Sequence, residues 1–187
     1  MKIRPYASCS RSRWLRHPMN SGAYRHWLIE RGSLTKRLQS KTNQFNVRAL
    51  SVRSGKPQMD ELADLALASH QHSLLREVLL VGNALPQVFA HSVLPYKSLR
   101  GVWQGLSRLG NQPLGAALFA DARVSRAPLE YQKIARHHPL YRQAAQHCAH
   151  PPAALWARRS IFYRSAAFKR DAIMVTEVFL PPILDLT

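Results

Sequence analysis

Two charged residues stand in this sequence where strand chemistry makes charge expensive. Arg76 lies inside Leu74-Leu75-Arg76-Glu77-Val78-Leu79-Leu80, and Glu177 inside Ile173-Met174-Val175-Thr176-Glu177-Val178-Phe179-Leu180. Strand alternation places Arg76 on one face with Leu74, Val78 and Leu80, and Glu177 on one face with Ile173, Val175 and Phe179. A charge on an apolar strand face costs free energy unless something pairs with it. Two readings follow. Either the two residues neutralise each other across a sheet, or each faces a buried ligand. In the second case the planar fork of Arg76 takes a carboxylate in bidentate fashion, and Glu177 meets a hydroxyl or a developing charge. Glu77, on the opposite face from Arg76, reads as solvated.

Other chemistries leave no signature. The chain has no Gly-rich phosphate loop, HExxH, CxxC or GxSxG. Cys148 and His150 stand two apart without further ligands at metal spacing, and His137-His138 reads as a solvated loop. No metal and no cofactor is therefore expected. Two cysteines, Cys9 and Cys148, are too few for a disulfide framework, and a cytoplasmic location is the expectation.

The elements that must position Arg76 and Glu177 are legible in outline. Residues 74–81 and 87–94 form a hairpin around Gly82-Asn83, bounded by Pro86 and Pro95. Residues 158–164 and 171–180 form a second hairpin, closed by Pro181-Pro182. Residues 44–53 alternate as a strand with one solvated face. Helical spacing runs from Ser21 to Gln39, broken at Gly32, with Ser33 as the N-cap of a segment beginning at Leu34. Further helices are expected over Asp60–Ser69 and Ser98–Leu109, the latter capped by Gly110. Hairpin strands with helices before and between them predict one α+β domain on an antiparallel sheet.

Length and charge bound the rest. At 187 residues one domain is expected, and no apolar run approaches a membrane span. Lys and Arg total 27 against 10 acids, a net charge of +17. The excess is uneven, because residues 1–59 hold 13 bases and one acid, Glu30. Residues 1–20 read as a loosely held basic arm, preceding a domain over 21–187. Such an arm fits a polyanion or the surface of a membrane as a peripheral contact. No RNA-binding signature accompanies it, so no obligate nucleic-acid partner is expected.

Six short segments carry a family resemblance. They are Arg31-Gly-Ser-Leu34-Thr-Lys-Arg-Leu38, Leu75-Arg76-Glu77-Val-Leu-Leu, Ser92-Val-Leu-Pro95, Pro113-Leu114-Gly115 with Leu118-Phe119, Arg158-Arg159-Ser160, and Thr176-Glu177-Val-Phe-Leu-Pro181. In this order, over residues 21–182, they resemble the chorismate pyruvate-lyase family, which makes 4-hydroxybenzoate for ubiquinone synthesis. A monomer is expected, and the resemblance implies a six-stranded antiparallel sheet with helices and a ligand buried under two flaps. It places the carboxylate-binding arginine at Arg76, two flap residues offering backbone N–H groups at Leu34 and Leu114, and the acid beside the product hydroxyl at Glu177. Arg158 or Arg159 is the candidate for the enolpyruvyl carboxylate of chorismate. His91 stands in FAHSVLP where members commonly carry Arg, so an anionic contact there becomes pH-dependent. Gln87 replaces the usual Trp, which alters packing beside the hairpin turn. The alternative reading is a non-catalytic effector-binding domain of the same fold. Regulators of that kind carry a helix-turn-helix before the domain, for which about 20 residues are too few.

Overall fold

The computed structural model describes residues 14–100, 103–108, 112–166 and 169–186. Seven strands, all paired antiparallel, form one sheet: β1 (Phe45–Gly55), β2 (Ser73–Gly82), β3 (Leu85–Pro95), β4 (Val124–Arg126), β5 (Glu130–Ala135), β6 (Ala154–Ala166) and β7 (Lys169–Phe179). Their order is β1-β2-β3-β7-β6-β4, with β5 also on β6. β4 pairs with Phe162–Arg164 and β5 with Ala154–Arg159, so the two lie end to end along one neighbour. They amount to a single edge strand broken at Ala127, Pro128 and Leu129. The sheet therefore has six lanes and seven strands, which reconciles the count with the six expected.

Among the described residues six short α-helices flank it: α1 (Arg25–Leu28), α2 (Leu34–Lys41), α3 (Met59–Asp64), α4 (Tyr96–Leu99), α5 (Leu114–Ala120) and α6 (Pro139–Ala145). Trp27, Leu28, Leu34 and Leu38 pack on one sheet face against Val47, Val78, Leu80 and Val88. Leu114 and Leu118 of α5 continue that layer over Phe162. On the other face Leu140, Tyr141 and Ala144 of α6 cover Leu79, Phe89 and Val178. α3 lies on this second face too, where Glu61 meets His91 of β3. No helix among the described residues is long and apolar enough to cross a membrane.

Several expected boundaries shift for local reasons. The β2–β3 turn is Asn83-Ala84, one residue later than expected, with φ of 50° and 64°. Both residues left-handed is the type I′ arrangement that matches strand twist. Asn83 also accepts hydrogen bonds through Oδ1 from the Asn43 and Gln44 amides, tying the turn to the start of β1. Pro86 lies within β3 rather than before it, opposite a register shift at Leu80/Val81 that spares the ladder its missing N–H. The expected helix over Asp60–Ser69 stops at Asp64, and Ala66 turns left-handed at φ 50°. The expected helix over Ser98–Leu109 is split into α4 and a 3-10 segment, Gln104–Arg108; Val102, Leu109 and Gly110 fall outside the described residues. Ser33 caps α2 as expected, its hydroxyl accepting from the Lys36 amide. Nor is His138 a solvated loop residue, since it caps α6 by accepting from the Leu140 amide.

Within the arm expected over residues 1–20, Trp14 and Leu15 are held against the domain. Trp14 is buried in the α6-side core, and Leu15 exchanges backbone hydrogen bonds with Tyr131 of β5. An aromatic side chain of that size repays the entropy of ordering the chain. Residues 1–13 lie outside the described residues.

The turn offers a stability test. Alanine lacks the freedom of glycine at positive φ, so Ala84→Gly is expected to stabilise the protein by about 0.5–1 kcal/mol. A higher urea midpoint at unchanged slope would show it, and a lower midpoint would mean that Ala84 carries no strain.

Candidate active site

Strand parity assembles a cavity on the α2/α5 face of the sheet. Arg76, Val78 and Leu80 come from β2, Ala90 and Ser92 from β3, and Val175 and Glu177 from β7. Arg158 and Phe162 of β6 complete the floor. The roof is built from Gly32, Leu34 and Thr35 at the start of α2 and from Pro113 to Phe119 along α5. About 580 Å³ lies between these walls, part of it open to solvent. Arg76 and Glu177 share this cavity, the two residues that strand alternation alone marks as costly.

Each has a distinct anchor. Arg76 is 3% exposed and donates from Nη2 to the Gln112 carbonyl at 2.8 Å, just ahead of α5. Burial lowers its pKa, the mark of a guanidinium held out of water. Glu177 does not neutralise Arg76 in a structural pair. Its Oε2 accepts from Nε of Arg158 at 2.5 Å, its direct neighbour in the β6–β7 register. Arg158 is 1% exposed, and its Nη1 reaches the carbonyls of Trp27, Leu28 and Glu30 at 2.8–3.1 Å. One buried arginine thus orients the glutamate and ties the segment before α2 to the sheet. Leu34 and Leu114 are the first residues of α2 and α5. Amides in the first turn of a helix have no intrahelical acceptor and attract anionic oxygen.

Two expected site residues fall elsewhere. Arg159 and His91 lie on the opposite face of the sheet and line no part of the cavity. Adjacent residues on a strand point to opposite faces, so Arg158 in the cavity excludes Arg159 from it. Arg159 instead meets Asp60, Asp64 and Glu130, with its guanidinium 4.4 Å from the centre of the Trp14 ring. His91 lies between Glu61 and Glu77, at 3.4 and 3.5 Å. Its anionic partners are the protein's own carboxylates rather than a substrate. Glu77 is correspondingly not solvated: it is 7% exposed and accepts from Nε2 of Gln143 at 2.9 Å. Gln87 is buried beside the hairpin turn, where its Nε2 donates to the Gly82 carbonyl at 3.0 Å.

Burial pulls the His91 imidazole down, but the two flanking carboxylates outweigh it and push its pKa up to about 9. The folded value thus lies above the 6.5 of an unperturbed histidine. The contribution is complete below about pH 6.5 and is lost as pH rises through about 9. Wild-type stability is expected to exceed that of His91→Gln by up to about 3 kcal/mol at pH 6, with the gap closing by pH 9.5. Urea titrations at both pH values measure this, and a pH-independent gap would mean His91 is neutral in the fold.

The sequence reading missed Arg126. It lines the cavity from β4, donates to Ser160 Oγ at 3.0 Å and to the Arg31 carbonyl at 3.1 Å, and lies over the Phe119 and Phe162 rings. A three-residue strand gives alternation too little length to register.

Known proteins resemble this chain at two levels, in sequence and in fold. The chain is 45% identical over 176 residues to the "Probable chorismate pyruvate-lyase" of Methylobacillus flagellatus, covering 94% of this chain and 97% of that one. It is 41% identical over 184 residues to the protein of the same description from Nitrosomonas europaea, with 98% of each covered. Among solved structures, a GntR-family transcriptional regulator from Bacillus cereus matches with TM-score 0.55 at 10% identity, over 74% of this chain and 93% of that one. The effector domain of PhnF from Mycobacterium smegmatis matches with TM-score 0.54 at 13% identity, over 79% and 88%. Those two likenesses concern the fold alone. The family model described as chorismate lyase spans residues 9–186, and with relatives this similar over almost the whole chain, the protein belongs to the chorismate lyase family.

Proposed function

We infer that the protein is a carbon–oxygen lyase converting chorismate into 4-hydroxybenzoate and pyruvate, the reaction that supplies 4-hydroxybenzoate to ubiquinone synthesis. One observation carries the assignment of roles: in a member of this family, Arg76 and Glu177 share one cavity under the N-termini of α2 and α5.

The atoms balance within the substrate. The ether bond between ring and enolpyruvyl group breaks, and hydrogen leaves the hydroxyl-bearing ring carbon. The ring gains its third double bond, and a proton reaches the methylene carbon of the departing group, giving pyruvate. Aromatisation supplies the driving force, so the protein's task is to hold a dianion in its reactive conformer and exclude water. Arg76 anchors the ring carboxylate, with the Leu34 and Leu114 amides as further donors at the two roof helices. Glu177, oriented by Arg158, accepts from the ring hydroxyl and fixes the carbon that loses hydrogen. Arg158 itself is committed to Glu177 and three carbonyls, which makes it a positioning residue rather than the receptor of the enolpyruvyl carboxylate. Arg126, on the cavity wall with its charge against two aromatic rings, suits that second carboxylate better.

Purified protein mixed with chorismate is expected to release pyruvate and 4-hydroxybenzoate in equal amounts. Product no faster than the spontaneous background would refute the assignment. Tight 4-hydroxybenzoate binding without turnover would instead identify an effector-type domain.

A further inference from the structure

A second concavity abuts the active-site cavity. It lies over the break between β4 and β5 and takes in about 1540 Å³, part of it open solvent. Among the described residues Arg16, Arg25, Arg31 and Arg126 line it together with His17 and no carboxylate does, although Arg16 pairs with Glu130 just outside the lining at 3.7 Å. Ile29, Leu129 and two prolines give it an apolar floor beside Tyr131. The phenol of Tyr131 feels this concentration directly: burial raises its pKa, while Arg158, Arg126, Arg31 and Arg25 all pull it down. Arg126 belongs to both concavities and is their common wall. Its bond to the Arg31 carbonyl joins the rim of the cleft to the chain entering α2, which roofs the cavity.

We propose that this basic cleft is an outer binding site for the dicarboxylate substrate, from which chorismate passes Arg126 into the cavity. The proposal rests on the lyase reading for the identity of the ligand. Charge favours it, because a substrate with two carboxylates gains more from four guanidiniums than a product with one. Shape favours it as well, since a concave site with an apolar floor suits a small ring, whereas a polyanion needs an extended track. Arg25 and Arg31 are exposed on the rim, so their side chains act before the substrate is enclosed. Converging charge of this kind raises capture rates and fades with salt.

The test uses the full chain and the double variant Arg25→Glu/Arg31→Glu. Chorismate kcat/KM is expected to fall about tenfold with kcat within about twofold, and its salt dependence to flatten. Affinity for 4-hydroxybenzoate, held in the cavity, is expected to stay unchanged, which also certifies the fold. Calorimetry on protein saturated with 4-hydroxybenzoate supplies a readout free of turnover. Wild type is expected to bind one further chorismate weakly and in a salt-sensitive manner, and the variant to lose it. An unaltered kcat/KM together with no second binding event would overturn the proposal. So would loss of binding to phosphatidylglycerol vesicles or RNA with no change toward chorismate, which would make the cleft a polyanion surface. Absence of turnover in the wild type would refute the lyase reading separately, with chorismate binding to the two proteins still reporting on the cleft.

Discussion

Arg76→Ala is expected to weaken 4-hydroxybenzoate binding by about 100- to 1000-fold and to lower kcat/KM for chorismate at least as far. A charge-assisted bidentate contact to a carboxylate in a dry site is worth about 3–4 kcal/mol when one partner is removed. The large figure follows from burial: with Arg76 gone, the ligand carboxylate has the helix N-termini and little else to replace water. Arg76→Lys keeps the charge but loses the fork, so partial recovery is expected. Calorimetry with 4-hydroxybenzoate measures both variants, and an affinity unchanged in Arg76→Ala would remove the residue from the site.

The second large effect concerns stability. Arg158→Met is expected to cost about 3–5 kcal/mol and to lower Tm by about 10 °C. It strips the partner from Glu177 and releases the carbonyls of Trp27, Leu28 and Glu30 together. Part of the loss comes from the carboxylate left behind, so Arg158→Met/Glu177→Gln is expected to be more stable than the single variant. Thermal unfolding followed by circular dichroism separates these outcomes. A single variant as stable as wild type would mean that the carbonyl contacts are supplied equally well by water.

Much of this site was readable from strand parity. Two apolar strand faces, each interrupted by one charge, were enough to single out Arg76 and Glu177, and the even spacing that joins Arg76 to Val78 and Leu80 is the spacing of the cavity floor. Parity does not carry register. Whether Glu177 faces Arg76 or Arg158 depends on how β7 slides against β3 and β6, and pairing across strands distant in sequence leaves no local trace. The same limit hid the fate of Glu77 and His91. Each looks like an isolated polar residue along its own strand, yet β2, β3 and α3 bring Glu77, His91 and Glu61 together on the far face. The short elements were lost for a different reason: β4 and β5 carry too few residues for a period to emerge, and with them went Arg126 and the cleft beside it. Composition likewise gave no sign that the basic stretch holds one buried anchor, Trp14.

The contacts of Arg158 with Trp27, Leu28 and Glu30 span 128 to 131 residues of chain. During synthesis the meander of β1, β2 and β3 emerges early and pairs with its immediate neighbours. The arginine that fastens the roof comes out of the ribosome late, and β7, which carries Glu177, later still. Loop closure over that distance is slow relative to local pairing. The apolar face of the α1–α2 segment can settle early on β1, β2 and β3, but its polar fastening must wait until nearly the whole of this sequence is made. The nascent chain is thus a packed sheet face well before the far wall of the cavity, with Arg158 and Glu177, exists.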